Sequence, residues 1–276
     1  MVRYLVTGGH GYIGRHVVTS LVSRGHHVIV ASRGVDAPIE GSVPFNGDIL
    51  IPNDDIFEQS GRPDVLIHLA WEDGFMHASP AHLDNLSKHV TFVKNMLRGG
   101  LRHIATAGTV HEIGFHIGPV DETTPTFPLH PYGVAKNHLR SVQSLLCKEY
   151  DVTDQWLRCY YILGDDKRNN SIFTKLLQSE SDGKVEFPLN TGELLYDFIH
   201  VRELANMIVD VTEQQEVTGI INCCTGDPIS LKTMITRFIE ENGLKIKPVW
   251  GAFPLRPYDS RAIWGSTAKL DAIRRQ

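Results

Sequence analysis

Two residues with acid–base chemistry, Tyr132 and Lys136, stand four positions apart directly after Pro131. Proline is typical of the first turn of a helix, and a spacing of four places both side chains on one helical face. A free tyrosine titrates near pH ~10, and a nearby ammonium group lowers that pKa because it stabilises the phenolate. The pair therefore predicts a proton donor that could serve a carbonyl group.

Thr109 supplies a hydroxyl group that could work with this pair, because it follows a predicted strand at 101–106. We expect it to hydrogen-bond the oxygen of a substrate carbonyl and to orient that oxygen toward Tyr132. The candidate catalytic residues are therefore Thr109, Tyr132 and Lys136. Elements earlier in the chain must hold the second reactant beside them.

A glycine-rich segment, 7–14, joins a predicted strand at 3–7 to a predicted helix at 12–24. Glycines at such a junction permit a tight turn and close approach to a phosphate, which the N–H groups at the start of the helix can bind. The context predicts a dinucleotide site, although the spacing is G-x-x-G-x-x-G rather than G-x-G-x-x-G. From this loop the predicted cofactor site takes Gly8, Gly11, Tyr12, Ile13 and Gly14.

The residues after the second predicted strand, 27–31, indicate which dinucleotide binds. An acidic residue there would bind the ribose hydroxyls of NAD, but this chain has Ser32 and Arg33, with no carboxylate until Asp36. Arginine suits a 2′-phosphate, so we expect NADPH, with NADH as the alternative. After the third and fourth predicted strands, further cofactor contacts are expected from Asp48, Ile49, Leu69, Ala70 and Trp71.

Strands and helices alternate through the first 160 residues. The predicted strands are almost continuously apolar, which is typical of a parallel sheet with helices on both faces. We therefore predict an α/β fold with a Rossmann-like, doubly wound parallel sheet. After Gly164, loops with proline and glycine indicate a small C-terminal substrate-binding lobe. The predicted dinucleotide-binding domain is 1–160 plus about 200–224, and the lobe is about 161–199 plus 225–276.

Composition excludes several classes of function. The 276 residues include 27 basic and 32 acidic ones and no basic block, so we expect no nucleic-acid partner. No stretch approaches the roughly 20 apolar residues of a membrane span, and Met1 leads directly into a strand, so we expect neither membrane insertion nor a signal peptide. Four cysteines without metal-ligand spacing fit a reducing, cytoplasmic setting. The 14 histidines form no metal-binding motif, and we predict no metal site.

Taken together, the motifs resemble the extended short-chain dehydrogenase/reductase family across nearly the whole chain. The matching positions are segment 7–14, His68-Leu69-Ala70, Asn85, Thr109, Tyr132 with Lys136, and segment 197–201. The resemblance implies a nicotinamide-dependent enzyme in which Lys136 also binds the nicotinamide ribose and Asn85 contributes to the cofactor site. It also implies a homodimer formed through the helix of Tyr132 and its neighbour. The apolar face at 139–146 would permit that contact and is equally explained by packing on the sheet.

Two alignments of segment 105–114 with the family are possible. Matching Val110-His111 to the family's Val-Tyr puts Ala107 in the position of the catalytic serine or threonine. The site would then lack its catalytic hydroxyl group and would be largely inactive. Matching Ile113-Gly114 to the family's Tyr-Gly puts Thr109 there. We prefer the second alignment, because it supplies a hydroxyl group and preserves the glycine. His111 then falls where substrate contacts are usual, and an ordinary loop histidine is an equally good interpretation.

The C-terminal segment 255–259 resembles the nucleotide-sugar branch of the family, in which an arginine and an aspartate bind the diphosphate. Here these residues are Arg256 and Asp259. Tyr161 stands where the family often has asparagine, which weakens any transfer of the epimerases' phosphate contacts. The predicted substrate contacts are His111, Tyr161, Arg256 and Asp259.

Three further segments, 71–75, 108–114 and 124–137, look most like those of reductases of nucleotide-linked 4-keto-6-deoxyhexoses. The resemblance implies hydride transfer from NADPH to the C4 ketone of such a sugar, with dTDP as the expected nucleotide. Reductases of this kind serve the synthesis of deoxysugars for surface polysaccharides.

Three other functions stay open. A nucleotide-sugar 4-epimerase would keep NAD tightly bound, and Ser32-Arg33 argues mildly against it. A dehydratase usually needs an acid pair directly after the Thr109 position, where this chain has Val110-His111. A regulatory protein that only senses a dinucleotide has no need of a catalytic acid such as Tyr132.

Overall fold

The structure is a computed structural model that describes residues 1–34, 37–164, 169–256 and 259–275. The described strands are β1 (Arg3–Thr7), β2 (His27–Ser32), β3 (Val43–Asn46), β4 (Val65–His68), β5 (His103–Thr109), β6 (Ile117–Val120), β7 (Thr153–Cys159), β8 (Tyr161–Leu163), β9 (Glu186–Pro188), β10 (Leu195–His200), β11 (Gly219–Cys223), β12 (Pro228–Ser230), β13 (Lys247–Val249) and β14 (Ala262–Gly265). The described helices are α1 (Gly14–Ser23), α2 (Ile56–Gln59), α3 (Ala81–Asp84), α4 (Leu86–Gly99), α5 (Pro131–Tyr150), α6 (Ile172–Ser181), α7 (Val201–Thr212), α8 (Leu231–Glu241) and α9 (Ala268–Arg274), with a 3-10 turn at Val110–Glu112.

Seven strands form one parallel sheet in the order β11-β7-β5-β4-β1-β2-β3. Its central strands are apolar and lack solvent contact, as at Leu5 and Leu66, because helices cover both faces. The chain crosses the sheet between β3 and β4, so a crevice opens beyond the carboxyl ends of β1 and β4, where folds of this kind bind ligands. The predicted doubly wound parallel sheet is confirmed.

The helices build a separate core on each face of this sheet. Leu21 of α1 and Ile208 of α7 share one core, and Phe92 of α4 and Leu139 of α5 share the other. Leu139 is therefore explained by packing on the sheet, whereas Leu145 on the same helix is 70% exposed. No helix of the described residues is long and apolar enough to cross a bilayer.

A smaller sheet has the order β12-β10-β14-β6, with β8 paired to β10, and all its pairs are parallel except β10 with β12. Phe173 of α6, Tyr196 of β10 and Ile235 of α8 share a third core. The sequence predicted a small lobe but not these strands, because β8 and β12 have only three residues each and Asp197 interrupts the apolar pattern of β10. Of the loop predicted at 165–171, residues 165–168 lie outside the described residues. A separate two-stranded sheet pairs β9 with β13.

Asp197 of β10 joins the two larger sheets. Its fully buried carboxylate accepts hydrogen bonds from Thr225 Oγ1 at 2.6 Å, from the Thr225 and Gly226 N–H groups at 2.8 and 2.9 Å, and from Gly265 N–H at 3.2 Å. These bonds fix the turn after β11 against β10 and β14. The first residue of segment 197–201 therefore has a structural role at the junction.

Candidate active site

The loop between β1 and α1 is compressed against neighbouring backbone at two glycines. Gly8 has a φ of +68°, and a Cβ there would lie 2.7 Å from the backbone nitrogen of Ala70. A Cβ at Gly14 would lie 2.1 Å from the carbonyl oxygen of Gly8. Since the clashing atoms belong to the backbone, neither position accepts a side chain without distortion. The loop is thus a cradle of backbone atoms at the start of a helix, which suits a pyrophosphate.

Tyr12 and Ile13 connect this loop to the rest of the site. The Tyr12 hydroxyl donates to the carbonyl oxygen of Gly164 at 2.7 Å, which joins the loop to the residue after β8. Ile13 directly precedes α1 and, with Gly11, lines the cleft described below. The start of α1 is therefore held against the smaller sheet.

A pocket of about 200 Å³ lies beside the outer strands β2 and β3. Its lining includes Ser32, Arg33, Asp48 and Ile49, all of which were predicted to contact the adenosine half of a cofactor. Ser32 donates to the carbonyl oxygen of Gly34 at 2.8 Å, while Arg33 is exposed at the rim. Asp36, the first carboxylate after β2, lies outside the described residues.

A larger cleft of about 2040 Å³ continues from this pocket toward the smaller sheet. Gly8, Gly11, Ala70 and Trp71 line both cavities, so the two form one groove along the carboxyl ends of the strands. Leu69, predicted to line the middle of the cofactor, also faces the cleft. The three candidate catalytic residues line the same cleft.

Thr109 and Tyr132 both line this cleft. Burial raises the pKa of Tyr132 above its usual value, and a side-chain hydrogen bond with Thr109 opposes that shift. Thr109 is 5% exposed, and its hydroxyl oxygen accepts a bond from the His111 N–H group at 3.2 Å. The hydroxyl of the preferred sequence alignment therefore lies beside the tyrosine that it was expected to serve.

Lys136 lies deeper than Tyr132 and is only 2% exposed. Its Nζ donates to the carbonyl oxygen of Ala107 at 2.7 Å and lies 3.9 Å from the centre of the Trp71 ring. Burial lowers the pKa of this ammonium group to about 7, and the Glu112 carboxylate opposes the shift. Lys136 can therefore exchange a proton near neutral pH, whereas the expected lowering of the Tyr132 pKa by Lys136 stays a prediction.

Glu112, which the sequence analysis missed, holds Thr109 in place. Its buried carboxylate accepts from the Thr109 N–H group at 2.7 Å and from Trp156 Nε1 at 2.9 Å, and it lies 3.6 Å from the Arg158 guanidinium. Burial raises the pKa of this carboxyl group, and Arg158 opposes the shift. Thr109 and Glu112 form a capping box, so the Thr-x-x-Glu spacing was the signal that could have found it.

The predicted substrate residues also line this cleft: His111, Tyr161, Arg256 and Asp259. Tyr161 stacks on Tyr196 of β10 with ring centres 4.0 Å apart, and burial raises its pKa. The Arg256 N–H group donates to the Asp259 carboxylate at 3.2 Å. Pro257 and Tyr258 of the same segment lie outside the described residues.

Asn85 is the predicted cofactor residue that the structure does not bring to the groove. It lies between α3 and α4 and lines neither of the two cavities. Its amide donates to the Glu72 carboxylate at 2.9 Å, and its oxygen accepts from Lys88 at 2.8 Å. The side chain is therefore engaged with Lys88 and with Glu72, which itself lines the pocket beside β2 and β3.

Two further histidines of the cleft were missed by the sequence analysis. His77 stacks on Tyr132 with ring centres 5.3 Å apart, and His130 accepts the Gly133 N–H at the start of α5. Both line the cleft near His111. No local spacing could have found them, because the three histidines come from separate segments of the chain.

Similarity to known proteins extends over nearly the whole chain. A relative from Aggregatibacter actinomycetemcomitans, named dTDP-6-deoxy-L-talose 4-dehydrogenase (NAD(+)), is 43% identical over 95% of this chain and 98% of its own. A UDP-glucose 4-epimerase from Halalkalibacterium halodurans is 26% identical over 98% of this chain and 88% of its own. The solved structure of UDP-glucose 4-epimerase from Thermotoga maritima with UDP-glucose shares the fold, with a TM-score of 0.82 at 21% identity, over 98% of this chain and 91% of that one.

The sequence profile of one family matches residues 4–224, which include the glycine loop, Thr109, Tyr132 and Lys136. That range covers the seven-stranded sheet apart from Arg3, the first residue of β1. The chain therefore belongs to the NAD dependent epimerase/dehydratase family.

Proposed function

We propose that this protein is an oxidoreductase that reduces the C4 ketone of a dTDP-linked 4-keto-6-deoxyhexose with NADPH, in deoxysugar and surface polysaccharide synthesis. The observation that carries the proposal is that Thr109, Tyr132 and Lys136 line one cleft, which continues from the pocket beside β2 and β3. These residues offer a hydroxyl group, a proton donor and a basic group at one end of a groove that begins at the glycine loop. That arrangement suits reduction of a carbonyl group.

The groove fits a nicotinamide dinucleotide. The close backbone packing at Gly8 and Gly14 fixes the turn before α1, and Gly11 lines both cavities, so a pyrophosphate in the groove could approach the N–H groups at the start of α1. Ser32 and Arg33 would hold the adenosine half, and Lys136 would hold the nicotinamide ribose. When bound, the reduced dinucleotide supplies a hydride.

The chain's own residues would then complete the reduction. The Thr109 hydroxyl would hydrogen-bond the C4 oxygen of the sugar and orient it toward Tyr132. Tyr132 would donate its phenolic proton to that oxygen as the carbon accepts the hydride, so the ketone becomes an alcohol and the tyrosine a phenolate. Lys136, whose pKa is lowered to about 7, would stabilise the phenolate and assist its reprotonation from solvent.

The substrate class is supported by two independent findings. Arg256 and Asp259 line the cleft, and an arginine there suits a diphosphate. The relative that is 43% identical is named for a dTDP-6-deoxy-L-talose, the product expected from such a reduction. A dTDP-linked sugar is therefore the first substrate to test.

For the choice of dinucleotide, two observations favour different answers. Arg33 lines the adenosine pocket, where it could pair with a 2′-phosphate, and this favours NADPH. The relative's name specifies NAD(+), which favours NADH. We keep NADPH as the proposal and NADH as its alternative.

The test is an absorbance assay at about 340 nm with dTDP-4-keto-6-deoxyhexoses as substrates and NADPH or NADH in excess. We expect stoichiometric oxidation of the dinucleotide and formation of a dTDP-6-deoxyhexose. Purified protein that carries bound NAD and interconverts sugars without net oxidation would instead show an epimerase. Dinucleotide binding without turnover of any sugar in the panel would contradict the proposal.

We also propose that the enzyme is a homodimer, in accord with the family resemblance. On α5, Val134 and Leu145 are 42% and 70% exposed, so this helix presents apolar surface in addition to its buried face. Light scattering should give twice the chain mass, and Leu145→Glu should reduce it to that of one chain. A monomeric wild type would overturn this part of the proposal.

A further inference from the structure

Three histidines that come from separate loops meet inside the cleft. His77 lies in the loop after β4, His111 in the 3-10 turn after β5, and His130 directly before α5. Each is partly exposed, and one ring nitrogen of each lies within 4.8 Å of those of the other two. Imidazole nitrogens in this arrangement could bind a single ion.

The three rings are held together by contacts with each other and with the catalytic elements. His77 stacks on His130 with ring centres 4.7 Å apart and lies 4.3 Å from His111. The His77 carbonyl accepts from the Tyr132 N–H group at 3.1 Å, and the His111 N–H group donates to Thr109 at 3.2 Å. Hydrogen bonds therefore tie the cluster both to the candidate catalytic tyrosine and to Thr109.

The environment keeps these rings neutral. Burial, together with the neighbouring histidines, lowers the pKa of His77 to about 4 and that of His111 well below its usual value. Burial also lowers the pKa of His130. Because neutral imidazoles keep a lone pair, the cluster can bind a cation at neutral pH, although Arg256 nearby opposes a positive charge.

A fourth histidine near Tyr132, His82, does not belong to the cluster. The ring of His82 lies 5.1 Å from that of Tyr132, but both of its nitrogens are engaged within the fold. Its Nδ1 accepts from Trp71 Nε1 at 3.0 Å, and its Nε2 contacts the Met76 carbonyl oxygen at 3.0 Å. His82 therefore packs against the tyrosine but offers no nitrogen to a ligand.

We propose that His77, His111 and His130 form a binding site for a divalent transition-metal ion of the zinc class, with a fourth coordination position open to the cleft. Ligands that are all imidazole favour zinc, copper or nickel over magnesium or calcium. With zinc–nitrogen bonds of about 2.0–2.1 Å, the donor atoms would stand about 3.3 Å apart. The ring nitrogens now lie within 4.8 Å of one another, so small rotations of the side chains suffice to bring them to that spacing.

Of the three ligands, His130 would change most when the metal binds. Its Nδ1 accepts from the Gly133 N–H group at 3.2 Å, so in the neutral ring the proton is on Nε2. If Nε2 binds the metal, the proton must move to Nδ1 and this cap of α5 is lost. The hydrogen bond is long, and its loss is small beside a metal–nitrogen bond.

An ion at this site would lie beside Tyr132, since His77 stacks on the tyrosine ring. It would also lie near Tyr161, a predicted substrate residue, because the His111 and Tyr161 ring centres are 6.1 Å apart. We therefore expect metal binding to inhibit carbonyl reduction reversibly.

The binding test uses Zn²⁺ and Co²⁺ with chelator-treated full-length protein and needs no substrate, so its result is independent of the proposed function. We expect one Zn²⁺ per chain and a visible Co²⁺ spectrum of four-coordinate type. His77→Gln and His111→Gln should each weaken Zn²⁺ binding by about tenfold or more. His138→Gln, at an exposed position of α5 outside the cluster, should bind as the wild type does.

Circular dichroism of each variant separates loss of the site from loss of the fold. Equal Zn²⁺ affinity in folded His77→Gln, His111→Gln and wild-type proteins would overturn the site. In the activity assay, Zn²⁺ should inhibit the wild type, and a chelator should restore its rate. His77→Gln should resist Zn²⁺ relative to its own rate without metal, and equal sensitivity would overturn the inhibitory role.

Discussion

The two halves of the cleft differ in which part of the chain forms them: one is mainly backbone, and the other is mainly side chains. The half proposed for the cofactor consists largely of loop backbone and strand ends, with Gly8 and Gly14 excluding side chains. The substrate half consists of side chains from distant segments, such as His111, Tyr161 and Arg256. The first depends on conformations that only glycine adopts easily, and the second depends on how separate elements pack.

This difference explains how each half can fail. A backbone cradle is disrupted by adding a single methyl group, because the clashing atoms are main-chain atoms. A site made of side chains is disrupted by removing a partner that holds a functional group, as Glu112 holds Thr109. The following variants test this contrast, from the largest expected effect to the smallest.

Tyr132→Phe should have the largest effect, because it removes the proposed proton donor while keeping the ring. We expect kcat to fall about 10³-fold, within the range of general acid catalysis. The dissociation constant for NADPH, measured by fluorescence titration, should change less than about twofold, since the cradle is untouched. Activity close to that of the wild type would remove Tyr132 from the mechanism.

Glu112→Gln should destabilise the substrate half through a buried network. The change removes the negative charge that lies between the Thr109 N–H group and the Arg158 guanidinium, and we expect a loss of about 2–3 kcal/mol in urea unfolding. Glu58→Gln is the matched control, because the Glu58–Arg62 pair is exposed and should contribute less than about 0.5 kcal/mol. Equal losses in the two variants would contradict a positioning role for Glu112.

Gly14→Ala should break the cofactor half specifically. The added Cβ would lie 2.1 Å from the Gly8 oxygen, so we expect a loss of about 2 kcal/mol and little remaining NADPH binding. Gly74→Ala should change stability by less than about 0.5 kcal/mol, because nothing lies within 4 Å of its added Cβ. Calorimetry and cofactor titration of both variants give the comparison, and unimpaired binding by Gly14→Ala would disprove the cradle.

Arg33→Ala tests the adenosine end of the groove. If Arg33 pairs with the 2′-phosphate, KM for NADPH should rise about tenfold, while KM for NADH should change little. Arg98→Ala, at an exposed position in the last turn of α4, is the control and should alter neither constant. A similar rise for both dinucleotides would show that Arg33 does not select between them.

Lys136 lies where the two halves meet, and its burial makes stability depend on pH. Because its folded pKa is lowered to about 7, the unfolded chain binds more protons above pH 7, and the stability of the wild type should rise with pH relative to Lys136→Met. Between pH 7 and pH 8 we expect this difference to grow by about 1 kcal/mol in urea unfolding. Lys148→Met, exposed on the same helix, should show no such trend. A constant difference for Lys136→Met would mean that the ammonium group is not destabilised by burial.

Sequence patterns were sufficient to predict the structure where it repeats or where only one residue type fits. The apolar strands predicted the parallel sheet, because burial on both faces leaves a continuous pattern. They failed for the smaller sheet, whose strands β8 and β12 are three residues long and only partly buried. Asn85 matched a family position, but its side chain bonds Glu72 and Lys88 and lines neither cavity.

By itself, the sequence determined where the apolar strands lie along the chain, where the glycine cradle is, and that Tyr132 and Lys136 share one helical face. Each of these is a local property, fixed by backbone sterics or helical periodicity. Tertiary structure alone decided that Glu112 accepts from Trp156 and lies beside Arg158, and that His77, His111 and His130 converge. Those contacts join segments far apart in the chain, so they depend on the packing of whole elements rather than on any local pattern.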